Sequence, residues 1–159
     1  MTENKKIKVR TATVRDREFV ISLVPRLTAF GLPPWRDGSR MMELDAKLLS
    51  GELTEPSADM EIFIAEDAES VPLGFLHIRL GSDHYNSERH AHISDIVVAP
   101  EGEGQGIARL LIERGEEWAR SQGFRWVTLN VFSQNVHARA VYKRLGFGED
   151  IIKCFKELN

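Results

Sequence analysis

The chain has 159 residues, of which 21 are Lys or Arg and 24 are Asp or Glu, so its formal charge at pH 7 is −3. A hydrophobic fraction of 42% with 28% charged residues is typical of a globular protein and excludes disordered and fibrous classes. The length predicts a single domain over residues 1–159. The slight negative charge argues against nucleic acid as a partner, because that binding needs a basic face.

The apolar runs, the N-terminal residues and the cysteine count together predict a soluble protein of the cytoplasm. The longest apolar runs, such as residues 96–99, are far shorter than the ~20 residues that a membrane span needs, so no membrane partner is expected. Residues 1–10 are polar and lack the apolar core of a signal peptide. One cysteine, Cys154, cannot form an intramolecular disulfide and cannot anchor zinc by itself.

The first half of the chain predicts a strand, two helices and a pair of strands. Alternation over residues 5–10 is typical of a half-buried strand, and helical spacing of apolar residues then predicts a helix that Pro25 kinks and Gly31 ends. A shorter helix is expected over 37–49 and stops at Gly51. A polar loop over 52–59, antiparallel strands over 60–66 and 73–80, and an exposed loop over 81–90 complete this half.

The second half alternates strands and helices. A strand runs from Ala91 to Pro100, and after a glycine-rich segment comes a helix that carries Ile107, Leu111 and Trp118 along one face. A strand over 126–132, a helix over 135–145 and a last strand over 150–158 follow, with Cys154 expected to be a buried, inert thiol. The order β-α-α-β-β-β-α-β-α-β indicates a mixed α/β fold with an antiparallel first half.

The segment from Val97 to Ala108 joins a strand to a helix through glycines at 102, 104 and 106. Glycines permit positive φ and close approach of a ligand, and the N–H groups at a helix start favour phosphate. A Walker A loop is excluded, because Gly106 is followed by Ile107 and not by Lys. The dinucleotide fingerprint is excluded by the glycine spacing. An ordinary left-handed turn before a helix stays open as the alternative.

Two separated blocks make the chain resemble the GNAT (GCN5-related N-acetyltransferase) family. Residues 103–108, EGQGIA, match its pyrophosphate motif of Arg or Gln, two residues, Gly, one residue, and Gly or Ala. Residues 135–147, NVHARAVYKRLGF, match its pattern of Asn, Ala, Tyr and Leu-Gly-Phe. Glu103 departs from the motif and would repel a pyrophosphate, and Arg109 can offer a compensating cation.

The resemblance implies a GNAT-like fold, in which helices flank a mostly antiparallel twisted sheet. It implies an enzyme that uses acetyl-CoA as co-substrate, without a metal. The acetyl group would pass from the thioester directly to a primary amine of a small molecule, peptide or protein that the sequence does not identify. The implied contacts of acetyl-CoA are Ile96, Val97, Val98, Glu103, Gly104, Gln105, Gly106, Ile107, Ala108, Arg109, Asn135 and Tyr142.

The same resemblance indicates the groups that would move protons. Tyr142 matches the tyrosine that protonates the sulfur of the coenzyme, although a core tyrosine with a backbone-bonded hydroxyl is the alternative. Asp95 and His92 are both candidates for the base: Asp95 matches an acidic position of the family, and His92 has the better unperturbed pKa. A regular strand turns the two to opposite faces, and a bulge would change which one faces the cleft.

Other assignments stay open at this stage. Asn135 could bond the pantetheine arm or cap the helix that it begins. In the family the acceptor site involves the first two helices, and here Phe30, Trp35 and Met41 could line it or could pack the helix junction. A non-catalytic acyl-CoA-binding regulatory module with the same fold is the alternative function. A homodimer formed through the terminal strands is a further hypothesis.

Overall fold

A five-stranded sheet runs through the protein in this computed structural model, which describes residues 6–159. The spatial order follows the sequence, and every neighbouring pair is antiparallel except β4 and β5, which are parallel. The mixed α/β class with a mostly antiparallel sheet is thus confirmed. The strands are β1 (Lys8–Thr11), β2 (Met60–Glu66), β3 (Pro72–Ser82), β4 (Arg89–Val98) and β5 (Val127–Leu129).

Helices cover both faces of the sheet, and each face has its own apolar core. The helices are α1 (Arg17–Leu23), α2 (Gly38–Thr54), α3 (Ile107–Ser121) and α4 (Val136–Arg144). Because side chains alternate along a strand, Phe63 and Ala65 of β2 pack with α3, whereas Ile62 and Ile64 pack with α1 and α2. The predicted apolar face of α3 is buried as expected. Among the described residues, no helix has the length and apolar character needed to cross a bilayer.

A β-bulge interrupts the pairing of β3 with β4 at the position that the sequence left undecided. His77 pairs with Asp95 and the next residue, Ile78, pairs with Ile93, so Ser94 is the extra residue on β4. This shift changes the face to which the side chains beyond Ser94 point. The bulge therefore decides which polar side chains of β4 share a face.

The strands β4 and β5 separate beyond the bulge. Their pairing comprises residues 91–93 of β4 with residues 127–129 of β5. From Asp95 to Val98, β4 keeps its partner β3 on one side and has no strand on the other side within the described residues. The main-chain groups along this edge are therefore free to pair with a ligand.

Several predicted boundaries are wrong. The first helix changes to a tighter 3₁₀ segment at Val24–Thr28 where Pro25 enters, because proline cannot donate the α-helical hydrogen bond. Helix α2 continues past Gly51 to Thr54. The first strand, predicted over 5–10, is observed over Lys8–Thr11. Residues 1–5, which include the first predicted residue of that strand, lie outside the described residues.

The last strand, predicted over 150–158, does not form, and Cys154 is exposed and not buried. The reason lies in the sequence of the tail. Ile151 and Ile152 are adjacent and so point to opposite faces, and Lys153 and Lys156 interrupt both rows. Neither face of such a strand would present a continuous apolar surface to the core.

Candidate active site

The glycine-rich loop that follows β4 begins with a short 3₁₀ turn at Pro100–Gly102. Gly102 is buried, and a Cβ there would lie 2.7 Å from Ile107 Cδ1 and 2.9 Å from the carbonyl oxygen of Leu73, so only glycine fits. Gly104 and Gly106 have φ values of 73° and 74°, and a Cβ at either would meet no atom within 4 Å. The backbone of this loop thus faces open space.

Six consecutive main-chain N–H groups, those of residues 104–109, have no hydrogen-bond acceptor among the described residues. The first bonded N–H of this region belongs to Leu110, which donates to the carbonyl of Gly106 over 3.2 Å. Free N–H groups at a helix start carry partial positive charge, which favours an anion. Together with the open space above both glycines, these donors fit the pyrophosphate of a coenzyme A thioester.

The charged side chains around the loop differ from expectation. Arg109, the predicted compensating cation, donates from Nε to Glu113 Oε1 over 2.7 Å, one turn further along α3. Glu103 instead pairs with Arg26 of the 3₁₀ segment Val24–Thr28. The two residues lie 77 positions apart, and no local pattern links them, so sequence reasoning missed Arg26.

We expect Gly106→Ala to weaken acetyl-CoA binding by about tenfold or more, because its Cβ would occupy the open space that a pyrophosphate needs. Gly123→Ala is the matched control. Gly123 also has a positive φ, 77°, and an open Cβ position, but it follows the other end of α3. Both variants carry the same backbone strain, so equal losses of affinity in isothermal calorimetry would contradict the assignment of the loop.

Asp95 lies in a group of three titratable side chains from three elements. Its Oδ2 is 3.0 Å from Nδ1 of His77, a β3 residue with no exposed surface, whose Nε2 is 3.4 Å from Met60 Sδ. Asp45 of α2 is the third member. Burial, followed by the neighbouring charge of Asp95, raises the pKa of Asp45. The sequence indicated Asp95 as a candidate base and Asp45 only as an isolated carboxylate, since the packing of β3 and α2 is what groups them with His77.

His92 lies before the bulge and has a different environment. Its Nδ1 is 2.8 Å from Thr128 Oγ1 on β5. Burial, followed by the positive charge of Arg79, lowers the pKa of His92 to about 4. The ring is therefore neutral near pH 7, but it accepts a proton far less readily than an ordinary histidine.

Tyr142 lies on α4, with its ring edge-to-face against Phe147 at a centroid distance of 5.9 Å. Burial raises the pKa of Tyr142 to about 12. Its hydroxyl has no hydrogen-bond partner among the described residues, so the alternative of a backbone-bonded core tyrosine does not apply. Asn135 caps α4, since its Oδ1 accepts from the N–H of Ala138 over 3.2 Å.

The aromatic residues between α1 and α2 divide into two sets. Phe30 packs on Phe132 with centroids 5.4 Å apart, which joins the helix junction to the segment after β5. Trp35 is half exposed, and the Arg36 guanidinium lies 4.3 Å from its ring centroid and Lys153 Nζ lies 5.3 Å from it. In residues 6–159, no group of three or more His, Cys, Asp or Glu side chains is arranged to hold a metal ion.

The chain is similar to known acetyltransferases in sequence and in fold. Over 103 residues it is 30% identical to aminoglycoside N(6')-acetyltransferase type 1 of Stenotrophomonas maltophilia, which covers 62% of this chain and 67% of that protein. Over 90 residues it is 33% identical to streptothricin acetyltransferase of Streptomyces lavendulae, covering 57% of this chain but only 46% of that protein.

The fold is similar to that of aminoglycoside N-acetyltransferase AAC(6')-Iy in complex with CoA, with a TM-score of 0.73 and 20% identity over 99% of this chain and 98% of that one. The family model of the GNAT acetyltransferases matches residues 30–147, which include α2, the glycine loop, Asp95 and Tyr142. The chain therefore belongs to the GNAT family of acetyltransferases.

Proposed function

We propose that this protein transfers an acetyl group from acetyl-CoA directly to a primary amine. The observation that carries the proposal is the row of unbonded N–H groups at residues 104–109, with open space above Gly104 and Gly106. A diphosphate is the ligand that such a row suits best. The free edge of β4 over Ile96, Val97 and Val98 lies between this loop and Asp95, where an extended pantetheine arm could pair with it.

The reaction moves protons at the nitrogen and at the sulfur. An amine with an ordinary pKa of about 10.4 is mostly protonated at pH 7, so the nitrogen has to lose one proton before attack. The neutral nitrogen then forms a bond to the thioester carbonyl carbon and loses a second proton, and the carbon–sulfur bond breaks. The thiolate takes up one proton, and the other is released to solvent. The proposed site offers a base for the nitrogen and an acid for the sulfur.

Asp95 is the proposed base, and it accepts the proton directly or through one water. Its carboxylate is held by the buried His77, and a fixed orientation favours proton transfer. His92 is the weaker candidate, because its Nδ1 already bonds to Thr128 Oγ1. His77 acts as a positioning residue for Asp95.

Tyr142 is the proposed acid. With a pKa near 12 its hydroxyl stays protonated at neutral pH, and it has no protein partner that competes for it among the described residues. A thiol has an ordinary pKa of about 8.5, so a phenol of higher pKa does not fully protonate a free thiolate. Donating a hydrogen bond as charge develops on the sulfur still lowers the barrier, which is how Tyr142 is proposed to act.

The proposed acceptor carries more than one cationic amine. Asp45 and Asp95 are two carboxylates close enough for one to raise the pKa of the other, and a nearby cation relieves that repulsion. The two relatives described above act, by their names, on aminoglycosides and on streptothricin. Both are polycationic amines, a class that the negative charge of Asp45 and Asp95 favours.

A screen of acceptors tests the proposal. Release of free CoA is followed with a thiol reagent for aminoglycosides, streptothricin, linear polyamines, amino acids and peptides with a free N-terminus. We expect turnover with a polycationic amine and little with amino acids. Tight binding of acetyl-CoA with no turnover for any acceptor would favour the non-catalytic regulatory module instead. The homodimer and the cytoplasmic location stay predictions.

A further inference from the structure

An ion pair joins the 3₁₀ segment Val24–Thr28, which lies outside both sequence motifs, to the glycine loop. A terminal guanidinium nitrogen of Arg26 pairs with Oε1 of Glu103. Val24 lies two residues before Arg26 in the same 3₁₀ segment. It is buried in the same core as Val97 and Ala99, which lie at the end of β4 that leads into the loop. Arg26 is therefore held beside the loop by packing as well as by charge.

The ion pair changes the electrostatics of the loop. A carboxylate at position 103 would by itself repel a diphosphate bound to the N–H groups of residues 104–109. Arg26 cancels that charge, and a guanidinium has five N–H donors, of which one carboxylate uses only some. The remaining donors can bind a second anion next to the first. Arg109 is bonded to Glu113, one turn toward the C-terminal end of α3, and so is less well placed for this task.

Resting on the proposed function, we infer that Arg26 is a coenzyme-binding residue that supplies, from the first helical segment, the cation that position 103 lacks. Arg26 neutralises Glu103 and donates its free N–H groups to the pyrophosphate. The helical segment on the acceptor side of the protein thereby becomes part of the site for acetyl-CoA. A ligand bound there links the 3₁₀ segment Val24–Thr28 to the loop before α3.

Calorimetric titration with acetyl-CoA at fixed ionic strength tests this role. We expect Arg26→Gln to raise the Kd by about tenfold or more, the loss typical of a charge-assisted hydrogen bond. Arg120→Gln is the matched control, because Arg120 is also paired with a carboxylate, Glu116, but lies about 20 Å along α3 from its start. Its Kd should equal that of the wild type. Circular dichroism checks that both variants are folded.

Fragments of coenzyme A show which group of the coenzyme Arg26 contacts. Dephospho-CoA lacks the 3'-phosphate, and pantetheine lacks the pyrophosphate as well. If Arg26 binds the pyrophosphate, Arg26→Gln weakens the binding of dephospho-CoA by the same factor as that of acetyl-CoA and leaves the binding of pantetheine unchanged. An equal loss for pantetheine would overturn the inference, because that loss would not depend on phosphate.

Glu103→Gln, made in both backgrounds, tests whether the two residues act together. Glu103→Gln removes one negative charge from beside the diphosphate in either background, so it should tighten binding severalfold in both. Because charges act additively, Arg26→Gln should then weaken binding by about the same factor whether position 103 is Glu or Gln. A loss on Arg26→Gln that disappears once Glu103 is replaced would contradict direct binding of the pyrophosphate by Arg26.

The outcomes separate the inference from the proposed function. Absence of acetyl-CoA binding by the wild type overturns both. Normal binding by the wild type, with an Arg26→Gln Kd within twofold of it, overturns the role of Arg26 and leaves the proposed function intact.

Discussion

Replacing Tyr142 with Phe is expected to lower kcat by about 10²–10⁴-fold, the usual contribution of a positioned general acid. Phe keeps the ring that packs against Phe147 and removes only the hydroxyl, so the Kd of acetyl-CoA and the thermal stability should change little. The loss arises because negative charge on the departing sulfur no longer meets a hydrogen-bond donor. Steady-state rates of CoA release, combined with calorimetric Kd values, check both parts.

Changing the thiol of the donor thioester provides the control for Tyr142. A thioester whose thiol has a lower pKa needs less help from an acid, so the deficit of Tyr142→Phe should shrink with an activated aryl thioester that the enzyme accepts. A deficit of the same size for both donors would show that Tyr142 acts on something other than the sulfur. An unchanged kcat with acetyl-CoA would refute the assignment outright.

Replacing Asp95 with Asn is expected to lower kcat/KM near pH 7 by about 10²–10⁴-fold, because the acceptor ammonium then has no base. Asn is of equal size and its Oδ1 can still accept from His77, so the local structure is retained. The difference in rate between the variant and the wild type should shrink as the pH rises. Above the amine pKa of about 10.4 the acceptor is already neutral, so the rates of the variant and the wild type should converge as the pH rises toward that value.

His92→Gln is the matched control for Asp95. Gln can keep a hydrogen bond to Thr128, and His92 is already neutral at pH 7 because burial lowers its pKa to about 4. We expect its kcat/KM to stay within severalfold of the wild type. A larger loss for His92→Gln than for Asp95→Asn would transfer the role of base to His92.

Much of the fold could be predicted because its elements have strong local patterns. The strand over 60–66 has the bounds that alternation and composition indicated, and α3 buries the face that helical spacing predicted. The strand predicted over 150–158 is wrong, because the apolar residues of this loose alternation fall on both faces. A weak pattern of this kind has no single face that the core can bury.

The candidate site was only partly accessible to sequence reasoning. The glycine loop and Tyr142 lie in continuous motifs, where each residue is placed by its chain neighbours. A regular strand would turn Asp95 and His92 to opposite faces, and the bulge at Ser94, a property of the pairing of two strands, turns both to the same face. His77 and Asp45 join Asp95 from other elements.

The sequence by itself indicated two features of the candidate site: a glycine loop that leaves N–H groups unbonded at the start of α3, and a phenol on α4. These features depend on glycine backbone freedom and helical spacing, which neighbouring residues control. Only the tertiary structure decided which side chains surround them. Arg26 reaches Glu103 across 77 positions, and the buried His77 meets Asp95 through a shifted strand register. Such contacts arise from the packing of elements far apart in the chain, and no short sequence pattern encodes them.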